Sequence, residues 1–124
     1  MAHYLLSVYA PSTNAAGLPP TADELEVIFG QVDDFNTNLQ EAGVWIYAGG
    51  LMPAEEAQVV RVEDGELTVA EGPYPTGGTP LGGFWIIDAP DLDDAVDYAA
   101  KASAACQAMV EVRAFQDDPV EAEG

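Results

Sequence analysis

Basic residues are scarce in this sequence: 3 Lys and Arg residues stand against 22 Asp and Glu residues, which gives a formal net charge of −19. Nucleic acids and anionic membranes are bound through basic surfaces that displace counterions, so this balance argues against both as partners. We interpret the acidic residues as a solvated shell that keeps the protein soluble. Attraction of a cationic partner has only the charge in its favour.

Cysteine, histidine and long apolar runs are equally scarce. The single cysteine, Cys106, excludes an internal disulfide and fits a reducing compartment. No His/Cys cluster or metal-binding motif occurs, so we expect neither a metal site nor a cofactor. No apolar run is long enough to cross a membrane, and the first residues lack the pattern of a signal peptide. We therefore expect a cytoplasmic protein.

What the sequence does contain is a regular succession of strand and helix patterns. Four segments rich in aliphatic and aromatic residues are predicted to be strands, at residues 3–10, 44–48, 84–89 and 109–115. The dipeptide Asp64-Gly65 separates two further strand patterns and predicts the tight turn of a hairpin.

Two helices are predicted between these strands. Thr21 and Glu24 form a capping box ahead of an apolar stripe at helical spacing, and Gly43 follows where a helix end favours a left-handed residue. Asp91 is a good N-cap for a second helix, whose many alanines predict close packing on a sheet. Its predicted apolar stripe comprises Leu92, Ala95, Val96, Ala99, Ala102 and Cys106.

The resulting order is strand, helix, strand, hairpin, strand, helix, strand. Two strand–helix–strand halves on one antiparallel sheet form a ferredoxin-like α+β fold with both helices on one face. We expect a single domain over residues 1–115, a long loop at residues 11–20 and an acidic flexible tail at residues 116–124. The other sheet face would expose a large apolar patch, so we predict a homodimer that pairs sheet to sheet.

Several segments resemble the YCII-related family, in particular its branch with the DGPFAETKE pattern. These are the opening strand YLLSVYA, EGPYPTGGT at 71–79, LGGFWIID at 81–88 and VEVR at 110–113. The resemblance covers residues 1–115 and implies a dimeric α+β barrel with a ligand cleft between sheet and helices. Most members have no assigned activity, a few resemble small-molecule lyases or dehydrochlorinases, and branch members are often encoded near alternative sigma factors.

The sequence departs from the family pattern at the residues proposed as catalytic. The family's aspartate falls at Glu41, whereas its histidine falls near Val32, an apolar position. The acids and the lysine that end the family signature are replaced by Thr76-Gly77-Gly78-Thr79. The chain's one histidine, His3, therefore does not take over the family role by alignment.

Three residues are candidates for proton transfer. His3 has a suitable intrinsic pKa if the first strand lines the cleft, although a histidine there is more often a surface residue. Glu71 and Tyr74 are a candidate base and a candidate cleft residue, but the same Gly-Pro segment also fits a loop that positions the next strand.

Five residues are candidates for ligand binding. Arg113 is one of three basic residues and shares a strand face with Glu111, so the pair is either a structural ion pair or a clamp for an anionic ligand. The aromatic residues Tyr9, Tyr47 and Trp85 indicate core or dimer interface, or the lining of a pocket for an aromatic ligand.

Two functions fit these observations. The first is a small-molecule-binding or accessory and regulatory module with a cleft between sheet and helices. The alternative is a small-molecule lyase or hydrolase acting on an anionic or aromatic substrate. The eroded signature and the absent family histidine favour the first.

Overall fold

The computed structural model describes residues 2–9, 20–74 and 79–116. Its helices and strands follow the predicted order: β1 (Ala2–Tyr9), α1 (Ala22–Glu41), β2 (Trp45–Gly50), β3 (Gln58–Glu63), β4 (Glu66–Glu71), β5 (Leu81–Ala89), α2 (Leu92–Cys106) and β6 (Met109–Ala114). A short turn of 3₁₀ helix, Ala54–Glu56, lies between β2 and β3. The loop predicted at residues 11–20 and the tail predicted at 116–124 lie outside the described residues, except for Pro20 and Gln116.

Four of the strands form one sheet in the order β2-β5-β1-β6, and every neighbouring pair is antiparallel. The two central strands, β1 and β5, come from different halves of the chain. This is the ferredoxin-like α+β arrangement that the element order predicts. The hairpin β3–β4 forms a separate two-stranded sheet. Among the described residues, no helix is long and apolar enough to cross a membrane.

Burial alternates along β5 and, apart from the buried Ser7, along β1, which shows that the helices cover one face of the sheet. In β1, Tyr4, Leu6 and Val8 are buried, and in β5, Trp85 and Ile87 are buried opposite them. Because successive side chains of a strand point to opposite faces, the residues between these belong to the other side of the sheet. We call that side the open face; it carries His3, Leu5, Ser7, Tyr9, Tyr47, Phe84, Ile86, Asp88, Met109, Glu111 and Arg113.

The two helices meet the covered face differently. α2 buries only small side chains, Ala95, Ala99, Ala102 and Ala105, and this lets its backbone approach the sheet closely. α1 buries two large ones in its C-terminal half, Phe35 and Leu39. The predicted stripe of α2 was therefore partly wrong, since Leu92 and Val96 are exposed and Ala105 takes a buried place.

The helix ends follow from local chemistry. The Thr21 hydroxyl accepts from the Glu24 amide at 3.1 Å, and the Glu24 carboxylate accepts from the Thr21 amide at 2.9 Å, which confirms the capping box. The Asp91 carboxylate accepts from the Asp94 amide at 2.9 Å. Gly43, after the end of α1, has a φ of +75°, as predicted. α2 ends at Gln107, which has a φ of +55°, so no glycine in the sequence marks the end of this helix.

The β3–β4 hairpin turns at Asp64 and Gly65, with φ values of +54° and +81°. Positive φ at both central residues is typical of the tight turn that Asp-Gly favours, so the predicted hairpin is confirmed. One face of the hairpin carries four exposed apolar side chains, Val60, Val62, Leu67 and Val69.

We predict that Thr21→Ala lowers the free energy of unfolding by about 1 kcal/mol, because an orphan amide of α1 loses its acceptor. Urea denaturation followed by circular dichroism measures this loss. Thr37→Ala is the matched control, since Thr37 is exposed within α1 and alanine is the better helix former there. Equal losses in both variants would contradict a role for the cap.

Candidate functional site

A pocket of about 450 Å³ lies on the covered face, between α1 and the half of the sheet formed by β2 and β5. The N-terminal half of α1 supplies one wall through Leu25, Ile28 and Phe29. Its volume is within the range of small-molecule sites, about 300–1,000 Å³. A cleft between sheet and helices is where the sequence resemblance places the ligand.

Glycine residues of two neighbouring strands make the floor of the pocket. Gly49 and Gly50 of β2 and Gly82 and Gly83 of β5 all line it, and Gly50 lies directly opposite Gly83. A Cβ added to Gly83 would come within 2.9 Å of the Gly49 carbonyl oxygen, whereas one added to Gly50 would meet nothing within 4 Å. Gly83 thus permits the close approach of the strands, and Gly50 leaves volume for a ligand.

An aromatic wall is held rigidly behind this floor. The Trp85 indole N–H donates to the Asn36 side-chain oxygen at 2.8 Å. Its ring meets Phe35 edge to face, with centroids 5.1 Å apart and planes at 90°. Because both the polar tip and the ring of Trp85 are already engaged, the indole presents a fixed apolar surface to the pocket.

Cys106 also lines the pocket. Burial raises the pKa of its thiol, because the thiolate is poorly solvated there. The side chain is therefore a neutral, weakly polar part of the wall at physiological pH.

None of the described residues that line the pocket is charged. The three basic residues lie elsewhere: Arg61 pairs with Glu63 at 3.1 Å on the hairpin, Lys101 lies 5.7 Å from the centre of the Tyr98 ring, and Arg113 is on the open face. A charged ligand in the pocket would lose its hydration without gaining a counter-ion, which is costly. The geometry suits a neutral, largely apolar molecule.

Most of the predicted site residues lie on the open face, on the opposite side of the sheet from the pocket. There His3 Nε2 lies 2.9 Å from Asp88 Oδ1, and Arg113 Nη2 lies 3.4 Å from Glu111 Oε1. Both contacts are at least partly exposed, and exposed polar pairs of this kind contribute little stability. Asp88 was not among the predicted site residues, because its proximity to His3 depends on the register of β1 and β5.

The predicted aromatic residues are divided between the two faces. Trp85 lines the pocket, whereas Tyr9 and Tyr47 belong to the open face. Tyr47 is 59% exposed, and its ring centroid is 6.0 Å from that of Phe84. Among the described residues, the pocket therefore takes one of the three predicted aromatic side chains.

Glu71 and Tyr74 lie near the base of the hairpin. Glu71 ends β4 opposite Gln58. Tyr74 is 82% exposed and lines a second pocket of about 360 Å³, together with Met52, Leu81 and the acidic residue Glu56. No described contact joins either residue to His3. The described residues also contain no group of three or more His, Cys, Asp or Glu side chains that could hold a metal ion.

Apart from Trp85, the described residues that shape the pocket were not among the predicted site residues. Their signal in the sequence was the pairing of glycines 49–50 with glycines 82–83, each next to an apolar strand pattern. Glycines within strands often mark close approach of a backbone or a ligand. The sequence does not say that the two pairs lie on neighbouring strands.

Comparison with known proteins agrees with the resemblance through one family model and also finds one uncharacterized relative. A family model described as YCII-related domain matches residues 1–117. An uncharacterized protein of Rhizobium meliloti (strain 1021) is 37% identical over 59 residues, which are 48% of this chain and 48% of that protein. The match thus spans about half the length of that relative.

We predict that Gly83→Ala lowers the free energy of unfolding by about 1–3 kcal/mol, since the added methyl overlaps the Gly49 carbonyl oxygen. Gly50→Ala is the control and should change it by no more than about 0.5–1 kcal/mol, because its methyl enters open space. Urea denaturation of both variants tests this. Tolerance of alanine at residue 83 would show that the strands can separate there without cost.

Proposed function

The chain belongs to the YCII-related domain family, and from this premise we propose that it is a small-molecule-binding module with an accessory or regulatory role. Its ligand is neutral and largely apolar, and it occupies the pocket between α1 and the glycine floor of β2 and β5. The observation that carries this proposal is a pocket of about 450 Å³ whose described lining contains no charged side chain.

Two features of the pocket support binding of a planar or ring-bearing molecule. The floor is bare backbone over two strands, so a flat molecule can lie against it. Trp85 adds an aromatic wall whose indole is positioned by contacts with Asn36 and Phe35. A preformed apolar wall lowers the cost of ordering side chains on binding.

The alternative, a lyase or hydrolase acting on an anionic or aromatic substrate, has less support. An anionic substrate would need Arg113 as its counter-ion. The candidates for proton transfer are His3, Glu71 and Tyr74. Arg113 and His3 belong to the open face, and Glu71 and Tyr74 lie at the base of the hairpin. Chemistry in the pocket would need a group that these residues do not supply, so we favour binding over catalysis.

We also propose that two copies pair through their open faces. The centre of this face is apolar, with Leu5 and Tyr47 on either side of Ile86. Among the described residues, this face holds two acidic side chains, Asp88 and Glu111, which lie next to His3 and Arg113 of the same chain. The chain as a whole has a net charge of −19. A second copy therefore meets far less charge repulsion at this face than it would at other parts of the surface.

The binding proposal predicts that the neutral dye N-phenylnaphthylamine binds and fluoresces, whereas anilinonaphthalene sulfonate binds at least about 10-fold more weakly. The two dyes share the same rings, and the sulfonate would be buried without a counter-ion. Fluorescence titration measures both affinities. Stronger binding of the sulfonate would favour an anion site and contradict the proposal.

Gly50→Leu locates the dye within the protein. Leucine at this position projects into the pocket and should weaken binding of the neutral dye at least about 10-fold. Gly30→Leu is the matched control, because Gly30 is exposed on α1, does not line the pocket and also has open space beside it. Equal effects of the two variants would place the dye elsewhere.

The pairing proposal predicts that the wild-type protein sediments at twice the 13.0 kDa mass of one chain, and that Ile86→Lys sediments at the mass of one chain. Lysine at the centre of the interface is costly to bury and lowers the net negative charge, so added acidic repulsion cannot explain dissociation. Val27→Lys, on the exposed side of α1, is the control and should remain paired. A wild-type monomer at micromolar concentration would overturn the proposal.

A further inference from the structure

We infer that the ligand carries a carboxamide or a similar paired donor and acceptor, and that this group hydrogen-bonds to the outward backbone of β2 at Gly50. The inference rests on the proposed function and names the polar part of the ligand. Its basis is an unpaired strand edge that lines an otherwise apolar pocket.

The first observation is the direction of the backbone groups in β2. This strand is at the edge of the sheet, with β5 as its neighbour on one side. The Leu51 amide donates to the Gly82 carbonyl oxygen at 2.9 Å, so the backbone of Leu51 points toward β5. In an antiparallel ladder successive residues alternate between the two sides, and the N–H and C=O of Gly50 therefore point away from β5.

The second observation is that nothing in the described residues pairs with this edge. The hairpin β3–β4 forms its own sheet and does not extend the four-stranded one. No described loop or turn hydrogen bond involves the amide or the carbonyl of Gly50. Because backbone polar groups must find a partner in water, protein or ligand, this edge can accept a ligand group without breaking a bond within the protein.

The third observation is that β2 lacks two of the protections usual for an edge strand, proline and charge, and that its β-bulge lies at the other end of the strand, between Trp45 and Tyr47. Its sequence, WIYAGG, contains no proline and no charged residue, whereas the opposite edge strand, β6, carries Glu111 and Arg113. Charged side chains and prolines on edge strands discourage pairing with other molecules. An edge without them is open to a hydrogen-bonding partner.

These observations meet at one residue. Gly50 lines the pocket, has no side chain to shield its backbone and has open space where a Cβ would be. An apolar group between α1 and the glycine floor therefore lies beside a free donor and a free acceptor. A neutral amide offers both a donor and an acceptor. A carboxylate offers only acceptors, and its oxygen atoms would be repelled by the carbonyl oxygen of Gly50.

The test uses two probes of nearly the same shape, naphthalene carboxamide and isopropylnaphthalene. Each displaces N-phenylnaphthylamine from the full chain, and displacement gives its affinity. Gly50→Pro removes the outward N–H, and proline is tolerated on an edge strand where that group faces away from the sheet. We expect the variant to bind the carboxamide about 3- to 10-fold more weakly relative to isopropylnaphthalene, the range for one lost hydrogen bond.

Gly50→Ala is the matched control. It keeps the N–H and adds one methyl group, so it should shift the affinities of both probes by the same factor. A Gly50→Pro variant whose relative affinity for the two probes equals that of the wild type would overturn the inference and leave the proposed function standing. Failure of both probes and of the dye to bind the wild type would instead overturn the proposed function.

A second measurement does not depend on the proline variant folding. In amide nuclear magnetic resonance spectra of the wild-type protein, the Gly50 N–H should shift downfield with the carboxamide and much less with isopropylnaphthalene. Equal shifts with the two probes would overturn the inference.

Discussion

One-sided burial of the central strands is the constraint on which the rest of this structure depends. Leu6 of β1 and Ile87 of β5 are fully buried under the helices, and neighbouring residues on the same strands belong to the open face. The hydrophobic effect fixes the register of such strands, because a slip of one residue would move the whole apolar set to the wrong side. The pocket, the open face and the unpaired edge of β2 all take their positions from this register.

The pocket arises from a difference in how the two helices meet the sheet. α2 lies close because its buried side chains are alanines, and the fully buried side chains of α1 are Phe35 and Leu39 in its C-terminal half. Toward the N-terminus of α1 the opposing strands carry glycines, so no side chains fill the space. Small residues thus have opposite effects in the two places. Alanines let α2 pack closely on the sheet, whereas glycines in the sheet leave an empty space under α1.

Charge is distributed around these surfaces in a way that separates their roles. Acidic residues far outnumber basic ones in the chain, whereas the described lining of the pocket carries no charge and the described acids of the open face lie next to His3 and Arg113. An acidic exterior repels anions at long range and adds to the cost of burying one in the pocket. Neutral molecules meet neither obstacle, in keeping with the ligand that we propose.

The amino-acid sequence by itself determined the features that depend on neighbouring residues. The capping box of Thr21 and Glu24, the hairpin turn at Asp64 and Gly65 and the order of helices and strands follow from local hydrogen bonds, backbone preference and hydrophobic periodicity. The end of α2 at Gln107 is an exception, since the left-handed residue there is not a glycine.

The tertiary structure alone decided which residues share a surface. Trp85 and Tyr47 are both aromatic strand residues, yet one lines the pocket and the other belongs to the open face. The pairing of His3 with Asp88 and the floor formed by Gly50 and Gly83 join segments that are far apart in the chain. Such contacts depend on strand register and on the distance between helix and sheet. Both are set by the packing of the whole core, which no local pattern encodes.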